Sequence, residues 1–182
     1  ISNHSGMAGL TTRFFEALTA AGKSIDNLRP DDLRGLDEFH ARGRDATIEL
    51  ARLAGLDKSM HVLDIGSGIG GPSRFLTLNY GCRVTGIDLT EEYCRLAELL
   101  ADKFGLSDRL KYHHGSALTM PFADESFDII WTQHVAMNIE EKEKFYQESV
   151  RCLKPGGKFV IYDILAGANQ PIHFPVPWAK SA

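Results

Sequence analysis

An apolar run that leads directly into a cluster of glycines constrains the fold of this chain more than any other feature. Residues 61–72 read HVLDIGSGIGGP, a strand pattern followed by a glycine-rich loop and a proline suited to the first turn of a helix. Glycines permit positive φ angles and let a ligand approach the backbone without meeting a Cβ atom. The helix that follows points free backbone N–H groups at the same place. The sequence therefore predicts a strand, loop and helix that hold a nucleoside-containing cofactor.

The glycine loop can be interpreted in two ways. Gly66, Gly68 and Gly71 fit the dinucleotide-binding pattern G-x-G-x-x-G, and Asp88 follows about 20 residues later to bind a ribose. This pattern alone is weakly specific and would be compatible with a nicotinamide-dependent oxidoreductase.

The alternative interpretation starts from the carboxylate that precedes the glycines. The pattern D-x-G-x-G-x-G resembles motif I of the class I S-adenosylmethionine-dependent methyltransferases, and its members here are Asp64, Gly66, Gly68 and Gly70. A nicotinamide enzyme usually has an apolar strand residue at the position of Asp64. The carboxylate therefore favours the methyltransferase interpretation.

Further segments extend this resemblance over roughly residues 60–165. They are similar to the family's second strand, its adenine-side loop, its fourth strand and the turn before its fifth strand, and they comprise residues 84–89, 115–117, 120–128 and 153–159. Residues 131–134 and 37–43 are similar to the small-molecule branch that includes glycine, sarcosine and dimethylglycine N-methyltransferases.

The resemblance implies an enzyme that transfers a methyl group from S-adenosylmethionine to a small-molecule acceptor and leaves S-adenosyl-L-homocysteine as product. The favoured acceptor is the nitrogen of an amine or amino acid such as glycine, sarcosine or dimethylglycine. Methylation of a phenol, quinol or lipid-like molecule on oxygen or carbon is the main alternative. Two alternatives remain: a nicotinamide-dependent oxidoreductase and a non-catalytic cofactor-binding subunit.

Several residues are expected to bind the cofactor. Asp88, at the carboxyl end of a parallel strand, should accept hydrogen bonds from the ribose hydroxyls. The resemblance assigns the other cofactor contacts to the glycine loop, the adenine side and the end of strand four: Asp64, Gly66, Ser67, Gly68, Gly70, Leu89, Ser116, Ala117 and Gln133. Asp64 should act indirectly, by holding the loop or through water. The family commonly has an acid where this chain has Ser116, so a neutral hydroxyl replaces a charged acceptor there.

The acceptor side is expected at the end of strand four. His134 and His40 are the candidate general bases, because an amine acceptor must lose a proton before it attacks and histidine titrates near neutral pH. Met137, Asn138 and Trp178 are expected with His134 in the acceptor pocket. No metal site is indicated.

The alternation of strand and helix patterns predicts an α/β fold with a Rossmann-like, doubly wound, mostly parallel sheet. Residues 1–55 should form a helical lid, residues 56–165 the cofactor-binding core, and residues 166–182 the start of a cap over the acceptor. The predicted strands are 61–65, 83–87, 109–113, 127–132 and 158–164, and the predicted helices of the core are 71–79, 91–104 and 140–153. Before the core, a helix is predicted from about residue 41 to residue 54.

The C-terminal segment lacks the helix and β-hairpin that complete the sheet of seven strands in this family. Residues 166–182 are rich in proline instead. Without those strands, residues 159–162 would form an exposed apolar edge, which natural proteins avoid. We therefore expect these 182 residues to be part of a longer protein, and an exposed edge would also permit a homodimer.

Charge and composition exclude several other functions. A net charge of −4 and a pI near 6.0 disfavour a nucleic-acid partner. The three cysteines lack the spacing of a zinc site or a disulfide framework, which favours the reducing cytoplasm. No run of 18 apolar residues predicts a membrane span.

Overall fold

The computed structural model describes residues 9–165. The helices are α1 (Leu10–Ala20), α2 (Arg44–Ala54), α3 (Gly71–Tyr80), α4 (Glu91–Lys103) and α5 (Lys142–Cys152). The strands are β1 (His61–Ile65), β2 (Arg83–Asp88), β3 (Leu110–His114), β4 (Phe127–Gln133) and β5 (Leu153–Tyr162). Single turns of 3₁₀ helix occupy Pro30–Leu33 and Ala136–Asn138. The prediction for Trp178 lies outside the described residues.

The five strands form one parallel sheet in the order β3-β2-β1-β4-β5. This order confirms the predicted Rossmann-like fold. β1 is central, and the direction of winding reverses between its two neighbours, β2 and β4. In such sheets the ligand crevice lies outside the carboxyl ends of the strands at this reversal.

The starts of two elements differ from the sequence prediction by three residues or more. β5 begins at Leu153, because Leu153 pairs with Phe127 and the Pro-Gly-Gly run that follows forms a bulge within the strand. α2 begins at Arg44 rather than at residue 41, since Arg42 and Gly43 have φ angles of +64° and +49° that no α-helix accommodates.

Apolar side chains alternate between the two faces of the sheet and form a core on each. Helices α2, α3 and α4 cover the face that includes Val62 and Trp131. Helix α5 covers the face that includes Leu63 and Ile130. Residues in the N-terminal segment form a third cluster, in which Phe14 and other side chains of α1 pack on α4.

A buried ion pair fastens the segment before α2 to the core. The Arg74 guanidinium in α3 donates to Oδ2 of Asp37 at 2.6 Å, and both side chains are 2% exposed. The backbone of Asp37 packs so closely on the start of α3 that a Cβ atom on Gly71 would lie 2.0 Å from its carbonyl oxygen. We call residues 37–40 the cap loop. An ion pair and a close backbone contact therefore join the start of α3 to the cap loop.

Asp64 is a buried carboxyl group in the central strand. It accepts a hydrogen bond of 2.5 Å from the Ser73 hydroxyl in α3, which ties β1 to the helix after the glycine loop. Burial raises the pKa of Asp64 from 3.8 to about 7, with a further increase from the nearby Asp88 charge and an opposing effect of Ser73.

The three cysteines are buried and form no disulfide. Within residues 9–165, no helix has the length and apolar character needed to cross a membrane.

The Arg74→Ala substitution should destabilise the protein by about 3 kcal/mol or more, because it leaves the Asp37 carboxylate buried without its main partner. Arg95→Ala is the matched control, since Arg95 forms an exposed pair with Glu91 at 2.6 Å, and it should cost less than about 0.5 kcal/mol. Urea denaturation gives both free energies of unfolding. Equal losses for the two variants would show that the buried pair does not hold the cap loop.

The raised pKa of Asp64 predicts that stability falls as the pH rises. The folded protein binds a proton more tightly at Asp64 than the unfolded chain does, so stability is greatest below pH 4 for this group and is lost between about pH 4 and pH 7. Relative to Asp64→Asn, the free energy of unfolding of the unliganded protein should fall by up to about 4 kcal/mol over that range.

Asp57 provides a control, because its contribution to stability should depend on pH with the opposite sign. Hydrogen bonds from Ser59 lower the pKa of this exposed carboxyl group, so its contribution is lost as the pH falls. A difference between the wild type and Asp64→Asn that is independent of pH would contradict the burial of a titrating Asp64.

Candidate functional site

A cavity of about 950 Å³ lies at the carboxyl ends of the central strands. Its walls include the ends of β1, β2 and β4, the loop after β3, the cap loop and side chains of α1. The volume is at the upper end of the range for small-molecule sites. It coincides with the crevice expected where the winding of the sheet reverses.

Asp88 is the last residue of β2 and lines this cavity. One carboxylate oxygen accepts from the Gly68 backbone N–H at 2.9 Å, and the other accepts from the Thr90 N–H at 2.8 Å. These bonds fix the carboxylate against the glycine loop. Each oxygen retains a lone pair for a further donor, such as a ribose hydroxyl.

The three predicted glycines of the loop serve different purposes. Gly66 and Gly68 line the cavity, whereas Gly70 does not. All three have positive φ angles. A Cβ atom would lie 2.2 Å from Val135 if placed on Gly66 and 2.2 Å from the Tyr112 hydroxyl if placed on Gly70, but it would meet nothing within 4 Å on Gly68. Gly68 is therefore where the loop presents open backbone to the cavity, and Gly70 serves packing.

Ser67 lies within the glycine loop and Asp64 just before it, and both line the cavity. The Ser67 hydroxyl is buried and has no hydrogen-bond partner within the described residues. Buried hydroxyls are normally paired. The unpaired Ser67 oxygen is thus the kind of group that a bound ligand or water satisfies.

The side of the cavity at β2 and β3 contains the predicted adenine contacts. Leu89 directly follows Asp88, and 73% of its surface is exposed. Ser116 and Ala117 follow β3 and line the same wall. The Ser116 hydroxyl accepts a hydrogen bond from the Leu118 backbone N–H at 3.1 Å. Its remaining lone pair and its proton are available to a ligand.

The other side of the cavity lies at the end of β4, where Gln133 is held in a buried network. The Trp131 indole, which can only donate, bonds to Gln133 Oε1 at 2.9 Å. Gln133 Nε2 therefore faces His40 Nε2 at 3.3 Å and the Thr47 hydroxyl at 3.3 Å. Thr47 in turn donates to Glu38 at 2.7 Å.

This network engages both ring nitrogens of His40. Its Nε2 lies 3.3 Å from Gln133 Nε2 and 3.4 Å from Glu38 Oε2, and its Nδ1 lies 3.3 Å from the Ala41 carbonyl. Burial lowers the pKa of His40 below 6.5. Both ring nitrogens are thus engaged by the protein, which favours a supporting role for His40.

His134 differs from His40 in that its Nε2 atom is buried without a partner in the described part of the chain. Its backbone has a φ angle of +56°, a conformation that is uncommon outside glycine and that asparagine, aspartate and histidine adopt most often among the other residues. The conformation is held by a bond from its N–H to the Tyr162 carbonyl at 2.8 Å. The ring lies 6.0 Å from that of His40, and burial lowers the pKa of His134.

Two further predicted acceptor residues have different positions. Asn138 lines the cavity and donates to the His134 carbonyl at 3.1 Å. Met137 does not line it, and its backbone N–H bonds to Asp163 at 3.0 Å.

The sequence prediction assigned no role to the two charged side chains of the cap loop, Asp37 and Glu38. Glu38 is buried and forms an ion pair with Arg44, and Asp37 pairs with Arg74. The Arg44 guanidinium donates to Glu38 and is therefore not free to bind a substrate carboxylate. The acidic pair in residues 37–38 was visible in the sequence, but its partners depend on the tertiary fold.

Comparison with known proteins identifies the family. Residues 63–161 match the model of the methyltransferase domain family. A sterol 24-C-methyltransferase of Gibberella zeae is 40% identical over 116 residues, which are 64% of this chain and 30% of that protein. The erythromycin 3''-O-methyltransferase of Saccharopolyspora erythraea is 34% identical over 132 residues, which are 72% of this chain and 42% of that enzyme.

Solved structures agree with this result. A protein of Galdieria sulphuraria, provisionally named a sarcosine dimethylglycine methyltransferase, superposes with a TM-score of 0.65 and 30% identity over 66% of this chain and 46% of that one. The chain thus spans less than half the length of these three proteins. The family match extends over more than half of the chain and confirms the methyltransferase interpretation of the glycine loop and S-adenosylmethionine as the cofactor class. The chain belongs to the methyltransferase domain family and has the fold of the class I S-adenosylmethionine-dependent methyltransferases.

Proposed function

We propose that this chain transfers a methyl group from S-adenosylmethionine to a small-molecule acceptor that binds in the 950 Å³ cavity. The observation that carries the proposal is the position of Asp88, whose carboxylate is fixed against Gly68 at the reversal of the sheet and faces the cavity. The chain covers only part of its relatives, so the activity of the whole protein is included in this proposal.

The residues present fit this cofactor. Asp88 supplies acceptors for two hydroxyls, and the open backbone at Gly68 admits a ligand without a steric clash. Ser67 lines the cavity between two glycines of the loop, and exposed Leu89 offers an apolar surface to a base. We assign Ser116, Ala117 and Gln133 to the same ligand through their positions in the cavity wall.

Asp64 holds the loop rather than the ligand in this proposal. Its hydrogen bond to Ser73 joins β1 to α3 directly below Gly66 and Ser67. Gly70 has a similar indirect role, because it leaves room for Tyr112.

When bound, S-adenosylmethionine supplies a methyl group on a sulfonium, and transfer breaks the carbon–sulfur bond, leaves its electron pair on sulfur and joins the methyl carbon to the acceptor. The protein's main task is to align donor and acceptor, which can lower the barrier by about 7–11 kcal/mol. The cap loop and the end of β4 define the acceptor's position.

His134 is the proton acceptor in this proposal. Its lowered pKa keeps the ring neutral at pH 7, and its Nε2 atom has no partner among the described residues. His40 orients Gln133 from the opposite side. The sequence favours the nitrogen of an amine or amino acid as acceptor, and that choice stays a prediction.

Asp88→Asn should weaken the binding of S-adenosyl-L-homocysteine by about 10- to 100-fold, because a neutral amide replaces a charged hydrogen-bond acceptor. Asp102→Asn, at an exposed position on α4, is the matched control and should bind like the wild type. Isothermal calorimetry gives the dissociation constants, and titration with NAD tests the oxidoreductase alternative. Equal affinity of the two variants, or preferential binding of NAD, would contradict the assignment of the site.

His134→Asn should reduce kcat by about 10²- to 10⁴-fold with an acceptor that must lose a proton. Asparagine tolerates the positive φ angle, so the backbone should not change. The affinity for S-adenosyl-L-homocysteine should remain within about threefold of the wild type, since the substitution lies on the acceptor side. In the wild type, kcat should fall as the pH drops below the lowered pKa of His134 and the ring becomes protonated.

The exposed His113 on β3 provides the control, and His113→Asn should retain full activity. A His134→Asn enzyme with unchanged kcat and an unchanged pH profile would exclude His134 as the proton acceptor.

A further inference from the structure

We propose that the acceptor half of the cavity selects an apolar molecule that is neutral or cationic and carries no anionic group. This excludes free amino acids as preferred acceptors. The inference rests on the proposed function, because the acceptor half is defined relative to the methyl donor.

The sheet separates the cavity into two halves. Asp88 and Leu89 lie at β2, and Gln133 and His134 lie at β4, with β1 between these strands. Neighbouring strands are about 4.8 Å apart, so the two groups are about 10 Å apart across the sheet. A cofactor that extends from Asp88 to Gln133 thus leaves the space beside His134 and the cap loop for the acceptor.

Apolar side chains form much of the wall on the acceptor half. Val135 and Ile139 follow β4, and Phe39 projects from the cap loop between Glu38 and His40. Phe39 has 83% of its surface exposed. Together with Val135 and Ile139 it gives this half of the cavity an apolar wall that an apolar ligand can cover. This position therefore favours an acceptor with an apolar body.

The charged side chains that line the cavity are acidic. In residues 9–165 the lining contains no lysine or arginine, and its carboxylates are Asp37, Asp64, Asp88, Glu140 and Glu141. Glu140 and Glu141 are exposed and make no ion pair within the described residues. An anionic acceptor would meet like charges there without a compensating cation.

The basic side chains adjacent to this wall are already engaged. Arg74 donates to Asp37 at 2.6 Å, and Arg44 pairs with Glu38. Lys142, next to Glu141, donates to the carbonyl of Ala136 at 2.7 Å. To bind a substrate carboxylate, one of these groups would have to leave a buried or backbone acceptor unpaired, which is unfavourable.

Pairs of small molecules that differ in one carboxylate test the proposal directly. The probes are tyramine with tyrosine, phenethylamine with phenylalanine, and 4-ethylphenol with 3-(4-hydroxyphenyl)propionate. Calorimetry first measures the binding of S-adenosyl-L-homocysteine to this chain and then, at saturation, the binding of each probe. In each pair, the member without the carboxylate should bind about 10-fold more tightly or better.

Glu140→Lys should reduce the ratio of the two dissociation constants within each pair at least threefold. The substitution replaces a charge that repels the carboxylate with one that attracts it. Glu98→Lys, a change of the same charge on the exposed surface of α4, should leave the preference unchanged. Phe39→Ser should weaken the binding of every probe without altering the affinity for S-adenosyl-L-homocysteine.

The outcomes separate the two proposals. If S-adenosyl-L-homocysteine does not bind, the proposed function fails and this inference fails with it. If it binds but the carboxylates bind as tightly as their partners, or if no neutral or cationic probe binds at millimolar concentration, the acceptor inference alone is overturned.

Discussion

The buried ion pair between Arg74 and Asp37 determines how the two parts of the site meet. Arg74 belongs to the helix after the glycine loop, and Asp37 begins the cap loop, so one interaction joins the cofactor side to the roof of the cavity. Gly71 adds a steric constraint, since only a residue without a side chain permits the close approach of the Asp37 backbone. The contact thus holds the cap loop as one wall of the cavity above the sheet.

The remaining polar groups of the cap loop extend the connection to β4. Glu38 bonds to Thr47, and Thr47 and His40 both contact Gln133, whose amide orientation is fixed by the Trp131 indole. Buried polar networks are stable only when their members are satisfied. The network therefore holds the end of β4 against the cap loop. His134 is the neighbouring histidine whose Nε2 atom has no partner within residues 9–165.

The sequence predicted the strands and helices of the core because their signals are local. β1 was predicted with its observed bounds, since its apolar run ends at glycines whose positive φ angles break the strand. The early start of β5 was missed, because a Pro-Gly-Gly run normally indicates a turn, and only pairing with Phe127 reveals a strand with a bulge. The β propensity of these residues does not reveal the pairing, because the pairing depends on the neighbouring strand.

The candidate site was predictable to a similar extent. Asp88 and Gly68 lie together as expected, because the carboxyl ends of neighbouring parallel strands meet at one edge of the sheet. Gly70 and Met137 lie away from the cavity, because spacing along a loop does not specify which residues face inward. The partners of Asp37 and Glu38 were beyond prediction, since Arg74 is 37 residues from Asp37 in the chain.

A crystal structure of this chain with S-adenosyl-L-homocysteine tests the central claim most directly. Our account predicts that the ribose hydroxyls bind Asp88, that the adenine lies against Leu89 and Ser116, and that the sulfur faces the end of β4 near Gln133. A ligand bound outside this crevice, or one whose ribose makes no contact with Asp88, would contradict the account.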